Sequence, residues 1–184
     1  MPFIKTEIAD LLVFEPKVFE DSRGYFFEAY NEQIFIQEGL QIKFVQDNQS
    51  KSSYGVVRGL HYQLPPYAQT KLVRVLEGKI LDVAVDIRQG SPTFGQSFTI
   101  ELSAENKRQL FVPTGFAHGF SVLSQSAVVL YKCDQFYHKE SEGGILYNDP
   151  SLKIDWQVPA EKVLISDKDK VLPPLAECKN TFTS

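Results

Sequence analysis

Leu81-Asp-Val-Ala-Val-Asp-Ile87 alternates with a period of two, which places Leu81, Val83, Val85 and Ile87 on one face of a strand and Asp82, Ala84 and Asp86 on the other. Short apolar runs predict further strands over 71–77, 97–102, 109–112, 119–123 and 127–134. Turn signals at Glu77-Gly78, Gln89-Gly90-Ser91-Pro92 and Pro113-Thr114-Gly115 separate them. Helical signals are few. Asn31 suits the N-cap of a segment running through Gln37 to Gly39, and Ser166 suits the cap of another that begins at Asp167. Many short strands with regular turns predict a mostly β protein, either a sandwich or a closed barrel of the jelly-roll kind, with a few short helices.

Composition agrees with that pattern: 14 Phe, 8 Tyr, 11 Gly and 10 Pro in 184 residues belong to strands and turns more than to long helices. With no repeat, low-complexity tract or linker, one domain over 1–184 is expected, ending in a fraying tail at 177–184. The net charge of −4 argues against a nucleic-acid binder acting through overall basic charge, while leaving room for a local basic pocket for a small phosphate compound. No apolar run approaches the length of a membrane span and the N-terminus lacks a signal-peptide core, so a cytoplasmic location is expected. Cys133 and Cys178 match no metal or redox spacing and read as reduced, structural thiols.

Against this apolar background, Gly55-Val-Val-Arg58-Gly-Leu-His61-Tyr-Gln63-Leu-Pro-Pro-Tyr-Ala-Gln-Thr-Lys71 carries polar groups where a buried strand would pay for them. A second His opens another apolar strand in Pro113-Thr-Gly115-Phe-Ala-His118. These spacings resemble the two cupin motifs, G-x5-H-x-H-x(3,4)-E-x6-G and G-x5-P-x-G-x2-H-x3-N. The departures are chemical: Gln63 stands at the second His of the metal-binding pattern, and Lys71 replaces its Glu. An ammonium in place of a carboxylate ligand predicts no metal and offers a cation for a developing oxyanion. Period-two alternation sets Arg58 and His61 on opposite faces, unless Gly59 forms a bulge or Arg58 enters from a strand end.

Longer strings, among them EPKVFEDSRGYFFEAYN at 15–31, FVQDNQSKS at 44–52, LSAENKRQLFVPTGFAHGF at 102–120 and SEGGILYNDP at 141–150, resemble the dTDP-4-dehydrorhamnose 3,5-epimerase family, from about residue 4 to about residue 175. The resemblance implies a cupin-type jelly-roll barrel and cofactor-free inversion of C3 and C5 of dTDP-4-dehydro-6-deoxy-D-glucose. It also implies a homodimer that exchanges N-terminal strands. By the same resemblance His61 is the general base, Asp169 its carboxylate partner, Tyr131 the acid and Lys71 the group at the C4 oxygen. His118 is a second hydrogen bonder there, Arg23 and Arg58 suit the diphosphate, and Glu28, Gln46, Asn48, Glu142 and Lys168 match substrate-contacting positions, with Phe26 or Phe27 stacking on thymine. From alternation alone, Asp82 is a second choice as the partner of His61, and Tyr131 lies on the face of Ala127 and Val129 as an ordinary core Tyr would. Competing readings are an epimerase acting at C3 or C5 alone, a non-catalytic sugar-nucleotide binder, and a metal-dependent cupin.

Overall fold

The structure, a computed structural model, describes residues 2–183. In chain order its strands are β1 (Phe3–Lys5), β2 (Leu12–Phe14), β3 (Val18–Asp21), β4 (Gly24–Phe27), β5 (Gln46–Ser53), β6 (Val57–Gln63) and β7 (Lys71–Glu77). They continue with β8 (Lys79–Asp86), β9 (Ser97–Ser103), β10 (Gln109–Val112), β11 (Phe116–Val122), β12 (Ser126–Cys133) and β13 (Glu142–Gly144). The short helices α1 (Glu32–Gln37) and α2 (Asp167–Lys170) are capped by the side chains of Asn31 and Ser166. Both caps stand where the sequence places them.

Two antiparallel sheets face each other, one ordered β1-β2-β10-β7-β12-β5 and the other β13-β6-β11-β8-β9. Val73, Val75, Ala127 and Val129 of the first sheet pack against Ile80, Ala84, Leu102, Phe116 and Val122 of the second, forming the barrel interior. Both faces of β8 are buried, so its alternation sorts residues between two apolar layers: Leu81, Val83, Val85 and Ile87 pack outward under Ile145, Leu152, Trp156 and Phe182. On the outer face of the first sheet, Phe35 of α1 packs with Phe3, Phe14, Leu72 and Phe111. This is the mostly β barrel expected from the strand pattern, and the cupin-type fold that the resemblance implies.

Strand β11 begins at Phe116, earlier than the predicted 119, because the turn at Pro113 to Gly115 leads straight into pairing with β8, Phe116 opposite Asp86. The expected fraying tail is instead docked through Lys179 to Thr183. Phe182 is buried against Tyr62, the Asn180 amide donates to the carbonyl of Ile87, and Gln89 N donates to the carbonyl of Phe182. One aromatic anchor and paired backbone groups outweigh the chain-end entropy that terminal position suggests. Two residues without an assigned part are structural. Burial would raise the pKa of Asp86, but hydrogen bonds from Arg88, Thr93 and Ser91 hold it down at about 2, and His138 stacks on Tyr67 at 3.9 Å.

Candidate active site

The alternation of β6 breaks at Gly59. Arg58 faces Phe120 while His61 faces His118, so three steps along β6 oppose two along β11. That is a bulge, and it resolves the conflict between Arg58 and His61 by turning both into one pocket. Gly59 has φ +124°, and a Cβ there would meet Gly119 Cα at 2.6 Å and the His118 carbonyl at 2.9 Å. Only glycine fits this crossing.

The pocket, about 460 Å³, opens between the two sheets and is lined by Arg58, His61, Lys71, His118, Tyr131 and Asp169, with Ser50, Phe120 and Lys168 among its other walls. A larger hollow of about 650 Å³ lies between the N-terminal segment and the loop after α1, and it gathers no comparable set of titratable groups. Chemistry, more than size, identifies the site.

His61 Nε2 lies 2.7 Å from Asp169 Oδ1, and the bulge amide of Gly59 approaches Asp169 Oδ2 at 3.4 Å. The Asp169 side chain is only 5% exposed. Burial pushes its pKa up, yet hydrogen bonding and charge from His61, aided by Gly59 N and Ser166, hold it below the usual carboxylate range. With its Nε2–H donated to Asp169, His61 presents Nδ1 as the basic nitrogen. The short helix α2 contributes the carboxylate, and its Ser166 cap accepts from Asp169 N at 3.1 Å, fixing the turn that aims it. Asp169, and not Asp82, is therefore the partner of His61.

Tyr131 projects from β12 of the opposite sheet and packs against the interior cluster on the face of Ala127 and Val129, as alternation requires. Burial raises its pKa, Cys133 adds to that and Arg58 opposes it, so the phenol keeps its proton at neutral pH. Lys71, paired with Cys133 across β7 and β12, places its ammonium 6.0 Å from the centre of the Tyr131 ring. Desolvation pushes the Lys71 pKa down. His118 is buried, with Nε2 at 2.8 Å from Asp82 Oδ1.

Other expected residues divide into three groups. Arg58 lies in the pocket wall, its Nε donating to Ser52 Oγ at 3.1 Å, and Lys168 holds Glu142 at the rim at 2.7 Å. Gln46 and Asn48 share the less exposed side of β5 with Ser50 and Ser52; Gln46 donates to Asn48, and Asn48 approaches Cys133 Sγ at 3.7 Å. Arg23 and Glu28 lie outside the pocket. Arg23 stands on the β3–β4 hairpin, which pairs only with itself, and its exposed side chain binds Asp21, while Glu28 accepts from Asn31.

Gln63 does not line the pocket. Its amide donates to the carbonyls of Tyr67 and Phe136 and accepts from His138 N, joining two loops. Among the described residues no three His, Cys, Asp or Glu side chains converge as a ligand set. Sequence reasoning did not assign Phe120 and Ser50 to the pocket wall. Ser50 was recoverable, since it falls two residues after Asn48 on the same strand face.

The pocket of this cupin-type barrel joins His61 of one sheet and Asp169 of α2 with a phenol and a lysine of the other sheet, the kinds of group that proton transfer uses. Residues 5–177 match the family described as dTDP-4-dehydrorhamnose 3,5-epimerase, and this chain belongs to that family. It is 58% identical over 170 residues to the dTDP-4-dehydrorhamnose 3,5-epimerase of Shigella flexneri, covering 92% of this chain and 93% of that one. The crystal structure of the Elizabethkingia anophelis dTDP-4-dehydrorhamnose 3,5-epimerase superposes with a TM-score of 0.92 at 55% identity, covering 95% of this chain and 96% of that one. The Legionella pneumophila dTDP-6-deoxy-D-glucose-3,5-epimerase, solved in complex with dTDP-4-keto-L-rhamnose, gives 0.91 at 50% identity, with coverage of 95% and 93%.

Proposed function

We propose that this chain converts dTDP-4-dehydro-6-deoxy-D-glucose to dTDP-4-dehydro-L-rhamnose by inverting C3 and C5 without a cofactor. The observation that carries the reading is that His61, paired with Asp169, and Tyr131 face one pocket from opposing sheets, with Lys71 on the same sheet as Tyr131. Both carbons flank the C4 ketone, so removal of either proton leaves an enolate. His61 Nδ1 takes the proton from one face of the sugar, and Asp169 stabilises the imidazolium that forms. Charge then gathers on the C4 oxygen, where Lys71 and His118 meet it. Tyr131 gives a proton to the other face, proton exchange with water returns His61 to imidazole and Tyr131 to phenol, and repetition at the second carbon completes the reaction. Each proton removed is matched by one returned, so the reaction needs no oxidant or reductant.

Arg58 and Lys168 suit the diphosphate end. The nucleotide site is completed by Arg23 and Glu28 from the hairpin of a second copy in a homodimer, since both lie away from the pocket of their own chain. Phe26, 66% exposed, is the better candidate for stacking on thymine, because Phe27 already lies against Tyr25 and beneath Arg74. Both cysteines are free thiols, which supports a location in the reducing cytoplasm; among the described residues no helix is long and apolar enough to cross a membrane.

The test is turnover of the keto sugar nucleotide in D2O. Deuterium is expected at both C3 and C5 of an L-configured product. Exchange at one carbon alone would reduce the reading to a single-site epimerase, and exchange at neither would overturn it.

A further inference from the structure

Asp82 has no exposed surface, and its Oδ2 is the one buried side-chain N or O atom without a hydrogen-bond partner among the described residues. Its other oxygen meets His118 Nε2 at 2.8 Å. An isolated buried carboxylate is costly, and the barrel tolerates one only where a cation answers it. Asp82 stands on the interior face of β8, which looks across the barrel at the sheet carrying Lys71 and Tyr131.

We infer that Asp82 is a positioning residue: its carboxylate faces the barrel interior to hold Lys71 as an ammonium where the enolate oxygen forms, and to fix His118 with Nδ1 toward the pocket. The inference rests on the proposed epimerisation and adds a residue that touches no substrate. The charged and titratable groups facing this interior are His118 from β11, Lys71 from β7, Tyr131 and Cys133 from β12, Arg58 and His61 from β6, and Asp169 from α2. β9 and β10 supply only Phe98, Ile100, Leu102, Leu110 and Val112.

Desolvation lowers the Lys71 pKa, while Cys133 and then Asp82 raise it. The Cys133 thiol is itself pushed up to about 11 by burial, so it is neutral at pH 7 and gives Lys71 no charge there. Asp82 remains as the group that opposes the desolvation of Lys71. Removing it lowers the Lys71 pKa further, and activity that needs the ammonium is then lost at a lower pH on the alkaline side.

The test compares wild type and Asp82→Asn for kcat and KM from pH 6 to 10. In the variant the alkaline limb is expected to move down by roughly one unit or more, as for loss of a nearby opposite charge. The loss should fall on kcat more than KM, because the enolate charge exists only beyond the ground state. The same substitution in a Lys71→Met background should leave the remaining limb in place. A merely structural Asp82 would lower the amount of folded enzyme without moving the limb, and that result overturns the inference. If Asp82→Asn fails to fold, 15N NMR of the Lys71 Nζ in the wild-type protein decides: an ammonium at pH 7.5 supports the inference, and a neutral amine overturns it. Absence of wild-type turnover would count against the proposed reaction itself, while the NMR outcome still judges the charge pair.

Discussion

Tyr131 and His61 face the same cavity from different sheets, and in the proposed reaction substitutions there separate proton removal from proton delivery. Tyr131→Phe removes the proton to be delivered but leaves the base and its Asp169 partner intact. Formation of the doubly inverted product is expected to fall by roughly 10²- to 10³-fold, the usual scale for a lost general acid. Exchange of substrate protons for solvent deuterium through His61 should persist, as NMR of substrate recovered from D2O would show; equal loss of exchange and product would contradict a one-sided role. At this scale the sequence was informative where chemistry was unusual for its setting. His61, Lys71 and His118 stood out because a buried strand does not otherwise carry them. The pairing of His118 with Asp82 was not legible, since alternation puts Asp82 inside the barrel without saying which histidine it meets.

Strands and turns were legible where one face or both had to be apolar, as in β7, β8 and β12. The eight residues of β5, Gln46–Ser53, carry no such signal. Its inner residues include Asn48 near Cys133 and Ser50 in the pocket wall, so the strand is polar because the cavity it lines is polar. Residues recruited for a polar cavity erase the pattern that announces a strand. The bulge of β6 is the element on which the site depends most. Gly59→Ala would force a Cβ into the backbone of β11 and strain a residue at φ +124°, and it is expected to cost about 1–3 kcal/mol or more. Because the Gly59 amide also approaches Asp169, kcat should drop beyond what the lost stability explains. Gly39→Ala is the control: its φ is also positive at +90°, but nothing lies within 4 Å of an added Cβ. It should lower the melting temperature and leave kcat of the folded enzyme unchanged, so equal kinetic damage by both variants would deny the bulge its part in the site.

At the scale of the whole molecule, one chain holds His61, Asp169, Lys71 and Tyr131 in one pocket but leaves Arg23 and Glu28 on or beside a hairpin that pairs with no other strand and exposes Phe19, Tyr25 and Phe26. Such an apolar projection is a poor surface for an isolated monomer and a good arm for a symmetric partner. If the arm of one protomer closes the pocket of the other, each catalytic site draws on two chains, and defects on different chains can complement. Arg23→Ala and His61→Asn should each be nearly inactive alone. Co-expressed in equal amounts, half of the dimers are mixed, and each mixed dimer holds one pocket with an intact His61 from one chain and an intact Arg23 from the other. Activity should therefore return to about a quarter of wild type by the arithmetic of a two-fold dimer. Were Arg23 to serve the pocket of its own chain, every pocket in every dimer would carry one of the two defects, and co-expression would restore nothing.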